Sequence, residues 1–261
     1  MKILVFGDIH GRTIWKKIIE KEKPDFVIFL GDYVSTHGFE TAEEQLDNLE
    51  EILKYKEDNP GMVILLRGNH DTQHLGYYWA ECSGFNMKVY QAMSKPEFKE
   101  RFLKLTQWVY ISDELKTIFS HAGISQRWLE DVEKQIVKEG GHQYDDGSID
   151  QEIVLELINS MDPSELFGFR PCYGMDMCGT SPTQPLTWIR PETLCTCNVV
   201  GWDQVVGHTP QRKISKMVQA TKGKQTIWLC DSLGFDNYLV IEDGEFKPKK
   251  YEEDSQSEVL R

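Results

Sequence analysis

Five apolar runs along the chain are each followed at once by glycine and polar side chains. The runs are apolar throughout instead of alternating with polar residues, which is typical of central β-strands that are covered on both faces. We therefore predict five strands that form the centre of the protein and end in polar turns. They occupy residues 2–6, 25–30, 62–66, 117–119 and 204–206.

Helical patterns separate the first three runs. Residues 13–23 place apolar side chains on one stripe, and residues 41–58 do the same after Thr41 and Glu44, which have the spacing of a capping box. The order strand, helix, strand, helix, strand predicts right-handed crossovers, a largely parallel sheet and the α/β class. Near the end of the chain, alternation around the Asp-Gly pair at 243–244 predicts a β-hairpin.

Two stretches interrupt this order. Residues 72–114 are rich in aromatic side chains, and residues 125–200 begin with a charged helical segment and then become irregular. We interpret residues 1–247 as a single domain in which both stretches are insertions that cover the site. The remaining residues, 248–261, are predicted to form a flexible tail.

The composition narrows the possible functions. The formal net charge of −13 argues against extended nucleic acid as a partner, because phosphate backbones need clustered Lys and Arg. A pocket for a single phosphate stays possible, because bound divalent cations dominate their local field. No apolar run reaches about 18 residues, so we expect no membrane span. The six cysteines lack paired CxxC spacing, which favours reduced thiols and a cytoplasmic protein.

The polar turns bring potential metal ligands to one edge of the predicted sheet. Carboxyl ends of parallel strands lie at the same edge, where sites form. Carboxylate, amide and imidazole groups together suit divalent ions such as manganese, iron or zinc. A lone histidine more often has a structural role, so the indication comes from the set. Its members are Asp8, His10, Asp32, Asn69, His70, His121 and His208.

Five motifs in a fixed order carry a family resemblance. GDIHG, GDYV, RGNHD, SHAG and GHTP, between residues 7 and 210, resemble those of the calcineurin-like metallophosphoesterases. The series is most similar to the branch of phosphoprotein phosphatases and bis(5'-nucleosyl)-tetraphosphatases, and CDSLG at 230–234 resembles the segment that follows in that branch. The resemblance implies a four-layer sandwich, with central mixed sheets flanked by helices, and a metal-dependent phosphatase.

The resemblance also implies two divalent metal ions. Asp8 and His10 would bind the first ion, and Asp32 would bridge the two. The second ion would be completed by Asn69, His121 and His208. We expect Mn²⁺, with iron, zinc, nickel or magnesium as alternatives. Such a pair holds a phosphoryl group and lowers the pKa of a bridging water, which then attacks in line.

His70 has a different implied role. In the family, the histidine of the GNH motif protonates the leaving-group oxygen, because an alkoxide departs easily only when it is protonated. A carboxylate orients this histidine, and in this chain we assign that part to Asp71. The alternative is that His70 only supports Asn69.

The chain departs from the family pattern at two places. Pro210 replaces the second histidine of the GHxH motif, so the first metal ion would have fewer protein ligands, as in the phosphatase branch. The branch usually has GDxVDRG, whose arginine binds the substrate phosphate, but this chain has Ser35, Thr36 and His37 at the corresponding positions. This departure puts the binding of a phosphomonoester in question, unless another arginine takes the place of the missing one.

Four arginines could replace the missing one, because guanidinium suits bidentate contact with phosphate. We assign substrate binding to Arg67 and Arg190, although the arginine of the RGNH motif more often has a structural role. Surface roles are the alternative for each candidate. The other two are Arg12 and Arg170.

These features predict a phosphatase that acts on a phosphorylated small molecule, a nucleotide or a phosphoprotein. Two alternatives are open: a phosphodiesterase or nuclease for short nucleic acid, and a non-catalytic interaction module on the same fold. The consecutive rings of Tyr77, Tyr78 and Trp79 cannot all face one way, so we predict that at least one lines the cleft and stacks on a nucleobase. Nucleotide substrates would then be preferred over phosphoproteins.

Overall fold

The computed structural model describes residues 1–36, 38–77, 82–138, 151–161, 178–219 and 224–253. The strands are β1 (Lys2–Phe6), β2 (Phe26–Phe29), β3 (Val63–Leu65), β4 (Val109–Ser112), β5 (Thr117–Ser120), β6 (Asp203–Val206), β7 (Ser215–Val218), β8 (Thr226–Leu229), β9 (Asn237–Glu242) and β10 (Glu245–Lys250). The helices are α1 (Ile14–Glu22), α2 (Ala42–Asp58), α3 (Asn69–His74), α4 (Met87–Met93), α5 (Pro96–Leu105), α6 (Gln126–Lys138), α7 (Gln151–Ser160) and α8 (Pro191–Thr196), with a 3₁₀ turn at Leu233–Phe235.

The strands form two mixed sheets. The first has the order β10-β9-β1-β2-β3, in which β1, β2 and β3 are parallel and β9 is antiparallel to β1. The second has the order β4-β5-β6-β8-β7, with a parallel centre and antiparallel edge strands. The five apolar runs of the sequence are β1, β2, β3, β5 and β6. The parallel arrangement is thus confirmed for these central strands, but they are divided between two sheets.

Helix α2 begins as its sequence predicts. The backbone N–H of Glu44 donates to Oγ1 of Thr41 at 3.2 Å, and the N–H of Thr41 donates to the Glu44 carboxylate at 2.7 Å. This reciprocal pair satisfies two of the donors that a helix N-terminus leaves open. The helix then buries Leu49 and Ile52 against the first sheet.

Alternate side chains of the central strands enter different cores. Leu4 and Phe6 of β1 pack under the helices of the first sheet, whereas Val5 points to the opposite face. There it shares a core with Phe119 and Val205 of the second sheet. Helices α6 and α7 cover the outer face of the second sheet through a core with Ile118 of β5. The layers are therefore helix, sheet, sheet and helix, which confirms the four-layer sandwich.

The segment 72–114 contributes mainly to the outer helical layer. Helices α4 and α5 contact α2, and their Val89, Met93 and Phe102 belong to the core of the first sheet. The same segment supplies edge strand β4. Of the segment 125–200, residues 139–150 and 162–177 lie outside the described residues, and the covering role of both segments remains a prediction.

The C-terminal hairpin extends beyond the predicted domain end at residue 247. Asp243 and Gly244 form its turn with φ angles of 53° and 77°, as the Asp-Gly pair predicts. Strand β10 pairs with β9 as far as Lys250. The ammonium group of Lys249 donates to both carboxylate oxygens of Glu22 at 2.9 Å, and Tyr238 donates to the same carboxylate at 2.7 Å. The predicted start of the tail at 248 is therefore too early.

This hairpin contact predicts a position-specific loss of stability. Lys249→Met leaves the buried Glu22 carboxylate without one partner and should lower the free energy of unfolding by about 1–3 kcal/mol. Lys250→Met removes an exposed lysine of the same strand and should change it by less than about 0.5 kcal/mol. The ion pair lowers the pKa of Glu22 against the effect of burial, so the difference should disappear as the pH falls through that pKa. Equal urea denaturation curves at pH 7 would contradict the assignment.

Candidate active site

The loops after β1, β2, β3, β5 and β6 meet at a cavity of about 390 Å³. Ligand atoms of Asp8, Asp32 and His121 lie within 4.8 Å of one another, and all three residues are buried. His121 lies beneath the surface, with no exposed area. The other predicted residues that line the cavity are Asp8, His10, Asp32, Asn69, His70 and His208. The structure therefore brings together the whole set that the five motifs supply.

Hydrogen bonds from backbone to side chain connect these loops. The N–H of His208 donates to Oδ1 of Asp8 at 2.9 Å, and the N–H of His70 donates to Oδ1 of Asp32 at 2.9 Å. Glycine makes both approaches possible, because a methyl group at Gly207 or Gly68 would overlap the same carboxylate oxygen. Asp32 is thus held through Oδ1, and Asp8 accepts from the same N–H of His208 through Oδ2 as well, at 3.2 Å.

Three of the predicted ligands have a left-handed backbone. The φ angles are 45° at His10, 51° at Asp32 and 62° at His208. Residues other than glycine seldom adopt this conformation, which costs on the order of 1–3 kcal/mol at each position and concentrates at functional sites. The surrounding hydrogen bonds hold it, since the N–H groups of Ile9 and His10 both donate to the carbonyl of Asp32.

The second carboxylate oxygen of Asp32 faces three imidazole rings. Its Oδ2 lies 3.4 Å from Nε2 of His121 and 3.9 Å from Nε2 of both His10 and His70. Burial alone would raise the pKa of Asp32, but His121 and His70 outweigh it and hold the pKa well below its usual range. Asp32 is therefore ionised at neutral pH and is the central anion of the site.

Two histidines have their proton positions fixed by carbonyl groups. Nδ1 of His10 lies 2.9 Å from the carbonyl oxygen of Val34, and Nδ1 of His121 lies 2.8 Å from that of Leu30. A carbonyl can only accept, so each Nδ1 carries a proton and each neutral ring has its lone pair at Nε2. This is the tautomer that a metal-binding imidazole with a backbone partner adopts.

The lone pair of His121 faces other acceptors. Its Nε2 lies 2.8 Å from Oδ1 of Asn69, in addition to the contact with Asp32. In a neutral His121, the lone pair on Nε2 would repel the oxygen lone pairs of Asn69 and Asp32. Either a second proton on His121 or a cation must therefore lie between these atoms. Although burial lowers the pKa of His121, the charge of Asp32 raises it to about 10. The donor set and its geometry thus fit a divalent cation in place of that proton.

His208 adds a further nitrogen to the same oxygen. Its Nδ1 lies 3.0 Å from Oδ1 of Asn69, and its Nε2 is buried without a hydrogen-bond partner among the described residues. Burial and the neighbouring His121 lower the pKa of His208 well below its usual value, so the ring is neutral. A neutral imidazole is the form that binds metals.

Asp71 holds the loops around Asp32. Its carboxylate accepts from the N–H groups of Asp32, Tyr33 and Gly68 at 2.9, 2.9 and 2.8 Å. Burial and the charge of Asp32 raise the pKa of Asp71 to about 7. These bonds give Asp71 a positioning role that we did not foresee, while its predicted orientation of His70 remains a prediction.

Arg67 is directed away from the cavity, which corrects its assignment to substrate binding. The side chain is buried; Nη2 donates to the carbonyl groups of Leu103 and Thr106 at 2.6 Å, and Nε donates to Oγ1 of Thr106. Its guanidinium also stacks on Trp108, 4.8 Å from the ring centre. Arg67 therefore caps the end of α5, in agreement with the structural role that is common for this motif.

Arg190 is placed in the cavity wall. Nη1 donates to Oγ1 of Thr209 at 3.1 Å, and the guanidinium lies 5.7 Å from the ring centre of Trp188. Arg12 lines the same cavity, whereas Arg170 lies outside the described residues. Phosphate binding by Arg190 remains a prediction.

Several wall residues were not named as site residues from the sequence. The CDSLG segment at 230–234 was noted only as a resemblance, yet Asp231 is nearly buried in the wall, and burial together with Asp231 raises the pKa of Asp8. Motif order alone could have indicated this position. Ser232 and Gly234 of the same segment also line the wall, and the others are Cys82, Ser83, Trp188, Gln211 and Phe235.

The sequence profile of the calcineurin-like phosphoesterases matches residues 1–221. The chain belongs to this family. This confirms the resemblance that the five motifs indicate.

Relatives within the family share only part of the chain. The symmetrical bis(5'-nucleosyl)-tetraphosphatase of Buchnera aphidicola subsp. Schizaphis graminum is 28% identical over 156 residues, which are 53% of this chain and 50% of the relative. The catalytic subunit of serine/threonine-protein phosphatase 4 from Eremothecium gossypii is 38% identical over 85 residues, which are 29% of this chain and 26% of the relative. The chain thus aligns with half or less of the length of these relatives.

Solved structures support the fold. A cold-active protein-tyrosine phosphatase from a Shewanella species has a TM-score of 0.54 at 18% identity and covers 95% of this chain and 80% of its own. A protein serine/threonine phosphatase from Saccharomyces cerevisiae has a TM-score of 0.53 at 14% identity, with 98% and 82% covered. At these identities the similarity establishes the architecture alone.

The geometry around Asp32 separates metal binding from acid catalysis. Asp32→Asn removes the central negative charge and should lower metal content together with turnover. His70→Asn should keep the metal content and lower kcat by about 10²–10⁴-fold, with a smaller effect for good leaving groups. Metal analysis of the purified variants, with the exposed Asp113→Asn as a control, provides the comparison. A His70 variant that loses metal but keeps its rate per bound ion would show that His70 is not the acid.

Proposed function

We propose that this protein is a two-metal phosphatase that hydrolyses a phosphomonoester or a phosphoanhydride. The observation that carries the proposal is the meeting of acceptors at Nε2 of His121, which lies 2.8 Å from an amide oxygen and 3.4 Å from a carboxylate oxygen. Neutral or anionic acceptors approach one another in this way where a cation binds. Membership of a phosphoesterase family supports the proposal independently.

The proposed ligands follow the contacts of the cavity. Asp8, His10 and Asp32 would hold one ion. Asp32, Asn69, His121 and His208 would hold the other. We propose manganese, because these oxygen and nitrogen donors suit it. When bound, two divalent ions neutralise phosphoryl charge and make a water molecule more acidic.

His70 is the proposed general acid. His70 lines the cavity, and the hydrogen bond from its backbone N–H to the carboxylate of Asp32 fixes the position of its backbone. The ring gives a proton to the departing oxygen, which otherwise leaves as an unstable anion. Arg190 supports the phosphate from the same wall, since its bond to Thr209 holds the guanidinium in place.

Of the three consecutive aromatic residues, at least one of which we predict to line the cleft, the structure describes Tyr77. Tyr77 packs against the apolar cores of both sheets, with Nζ of Lys99 3.7 Å from the ring centre. This favours a packing role for Tyr77. Tyr78 and Trp79 lie outside the described residues, so their contact with a nucleobase remains a prediction.

A cytoplasmic location is part of the proposal. The cysteines of the described residues are free thiols, as expected in a reducing compartment. Among the described helices, none combines the length and apolar character that crossing a membrane requires.

Metal-dependent hydrolysis tests the proposed function. Chelator-treated protein should be inactive, and Mn²⁺ should restore turnover of para-nitrophenyl phosphate. The panel also includes its bis ester, a phosphopeptide, a dinucleoside polyphosphate and single-stranded DNA. Unchanged activity after metal removal, verified by elemental analysis, would contradict the metal mechanism. A reconstituted protein that hydrolyses none of these would support the non-catalytic module, and hydrolysis confined to the diester and DNA would support the nuclease.

A further inference from the structure

The loop that follows β2 offers no described cation for substrate phosphate. Ser35 is buried; its backbone N–H donates to the side-chain oxygen of Gln45, and its hydroxyl contacts Nδ1 of His74. The hydroxyl of Thr36 donates to the carboxylate of Glu40. The family arginine would stand in this loop. Among the described residues, the arginines that line the cavity are Arg12 and Arg190, which lie outside this loop.

Arg12 is one of these two arginines. It follows the motif that carries Asp8 and His10, it is half-buried, and it lines the cavity. Within the described part of the chain, its side chain makes one hydrogen bond, from Nη1 to the carbonyl of Ile9 at 3.2 Å, and no direct ion pair. Nε and Nη2 thus keep N–H donors for a ligand.

Because Gly234 has no side chain, the guanidinium of Arg12 can lie close to its backbone. A methyl group at this glycine would lie 3.1 Å from Nη2, 3.3 Å from Cζ and 3.4 Å from Nε. The plane of the guanidinium therefore rests against the 3₁₀ turn Leu233–Phe235. The next residue, Phe235, lines the same cavity although 51% of its surface is exposed.

The cavity is thus lined by an exposed phenyl ring and a guanidinium, a combination that recognises a planar group attached to a phosphate. The guanidinium binds phosphate oxygens, and the ring stacks on the planar group. The cavity volume of about 390 Å³ is within the range of small-molecule sites. These properties favour a nucleotide over an extended protein surface.

We propose that Arg12, Gly234 and Phe235 form the substrate-binding wall of this site, in which Arg12 replaces the missing family arginine and Phe235 stacks on the base of a nucleotide. This wall adds a substrate class to the proposed function, and its role in catalysis depends on that function. Binding of a nucleotide, however, can be measured without turnover.

The charges around Arg12 are compatible with this role. The carboxylates near it are Glu40, at the end of the β2 loop, and Asp231, in the CDSLG segment. Burial raises the pKa of Asp231, although the charge of Arg12 acts against it. The pKa of Glu40 is lowered against the effect of burial, by the hydrogen bond from Thr36 and also by Arg12. Neither carboxylate forms an ion pair with Arg12 in the described part of the chain. The guanidinium is thus oriented by its bond to Ile9 and by the glycine surface, and its charge stays available to an anion.

Two ligands that differ only in the base test both halves of the wall. AMP and ribose 5-phosphate are titrated by calorimetry into the Mn²⁺-reconstituted His70→Asn protein, in which slow turnover keeps both phosphomonoesters intact, and each further variant is made in this background. Arg12→Gln should weaken both ligands about 10- to 100-fold, because each loses hydrogen bonds to a charged group. Phe235→Ala should weaken AMP about 5- to 100-fold and leave ribose 5-phosphate unchanged.

Two further variants show whether the effect of Arg12→Gln comes from this position of the guanidinium or only from the loss of one positive charge. Gly234→Ala keeps the charge but displaces the guanidinium, so it should weaken both ligands. Arg212→Gln removes an exposed arginine that does not line the cavity and should leave both affinities unchanged. Melting temperatures confirm that the variants are folded.

The outcomes separate this wall from the proposed function. Arg12→Gln with wild-type affinity would overturn the role of Arg12, and equal losses of AMP and ribose 5-phosphate in Phe235→Ala would overturn the stacking. A phosphotyrosyl peptide that binds more tightly than AMP would overturn the nucleotide assignment. If the predicted affinity changes occur but no substrate is hydrolysed, the wall is supported and the phosphatase proposal fails.

Discussion

At the centre of the site, the buried carboxylate of Asp32 is surrounded by three imidazole rings, and an amide oxygen contacts the same nitrogen of His121 that faces this carboxylate. Such a cluster is stable only if positive charge compensates it, either as protons on histidine or as bound cations. The rest of the architecture keeps this cluster largely buried and fixed. The chemistry that we propose for the site follows from this need for positive charge, because a cation bound by these acceptors is also placed to bind phosphate.

The constraint explains features that are otherwise costly. Two glycines allow backbone N–H groups to reach the carboxylates, and three ligand residues accept left-handed backbone angles. Asp71 uses a buried carboxylate to join the turns after β2 and β3. Each of these arrangements costs stability locally. Together they position the ligands on the edges of two packed sheets, which are rigid supports.

Much of this was predictable from the sequence, for physical reasons. Apolar runs of strand length and the capping box of Thr41 depend on local pattern, so β1, β2, β3 and α2 were predicted close to their observed bounds. The motif order identified the residues that meet at the cavity. In contrast, the direction of Arg67 depends on contacts with α5, which is distant along the chain, and no local pattern reports it.

The same limit applies to the end of the domain and to the substrate wall. Strand β10 is stabilised by the contact of Lys249 with Glu22, which is far away in sequence. Asp231 and Phe235 reach the cavity because β8 lies beside β6 in the second sheet. Such placements depend on tertiary packing. Pattern and motif therefore predict what a site can contain better than they predict which side chains surround it.

Anomalous diffraction from crystals grown with Mn²⁺ tests the central claim most directly. We expect two manganese peaks about 3.5–4 Å apart, with Asp32 in contact with both. We also expect Nε2 of His121 and Oδ1 of Asn69 to bind the same ion instead of facing each other. An absence of peaks at this cavity, with the 2.8 Å contact between those two atoms preserved, would contradict this claim.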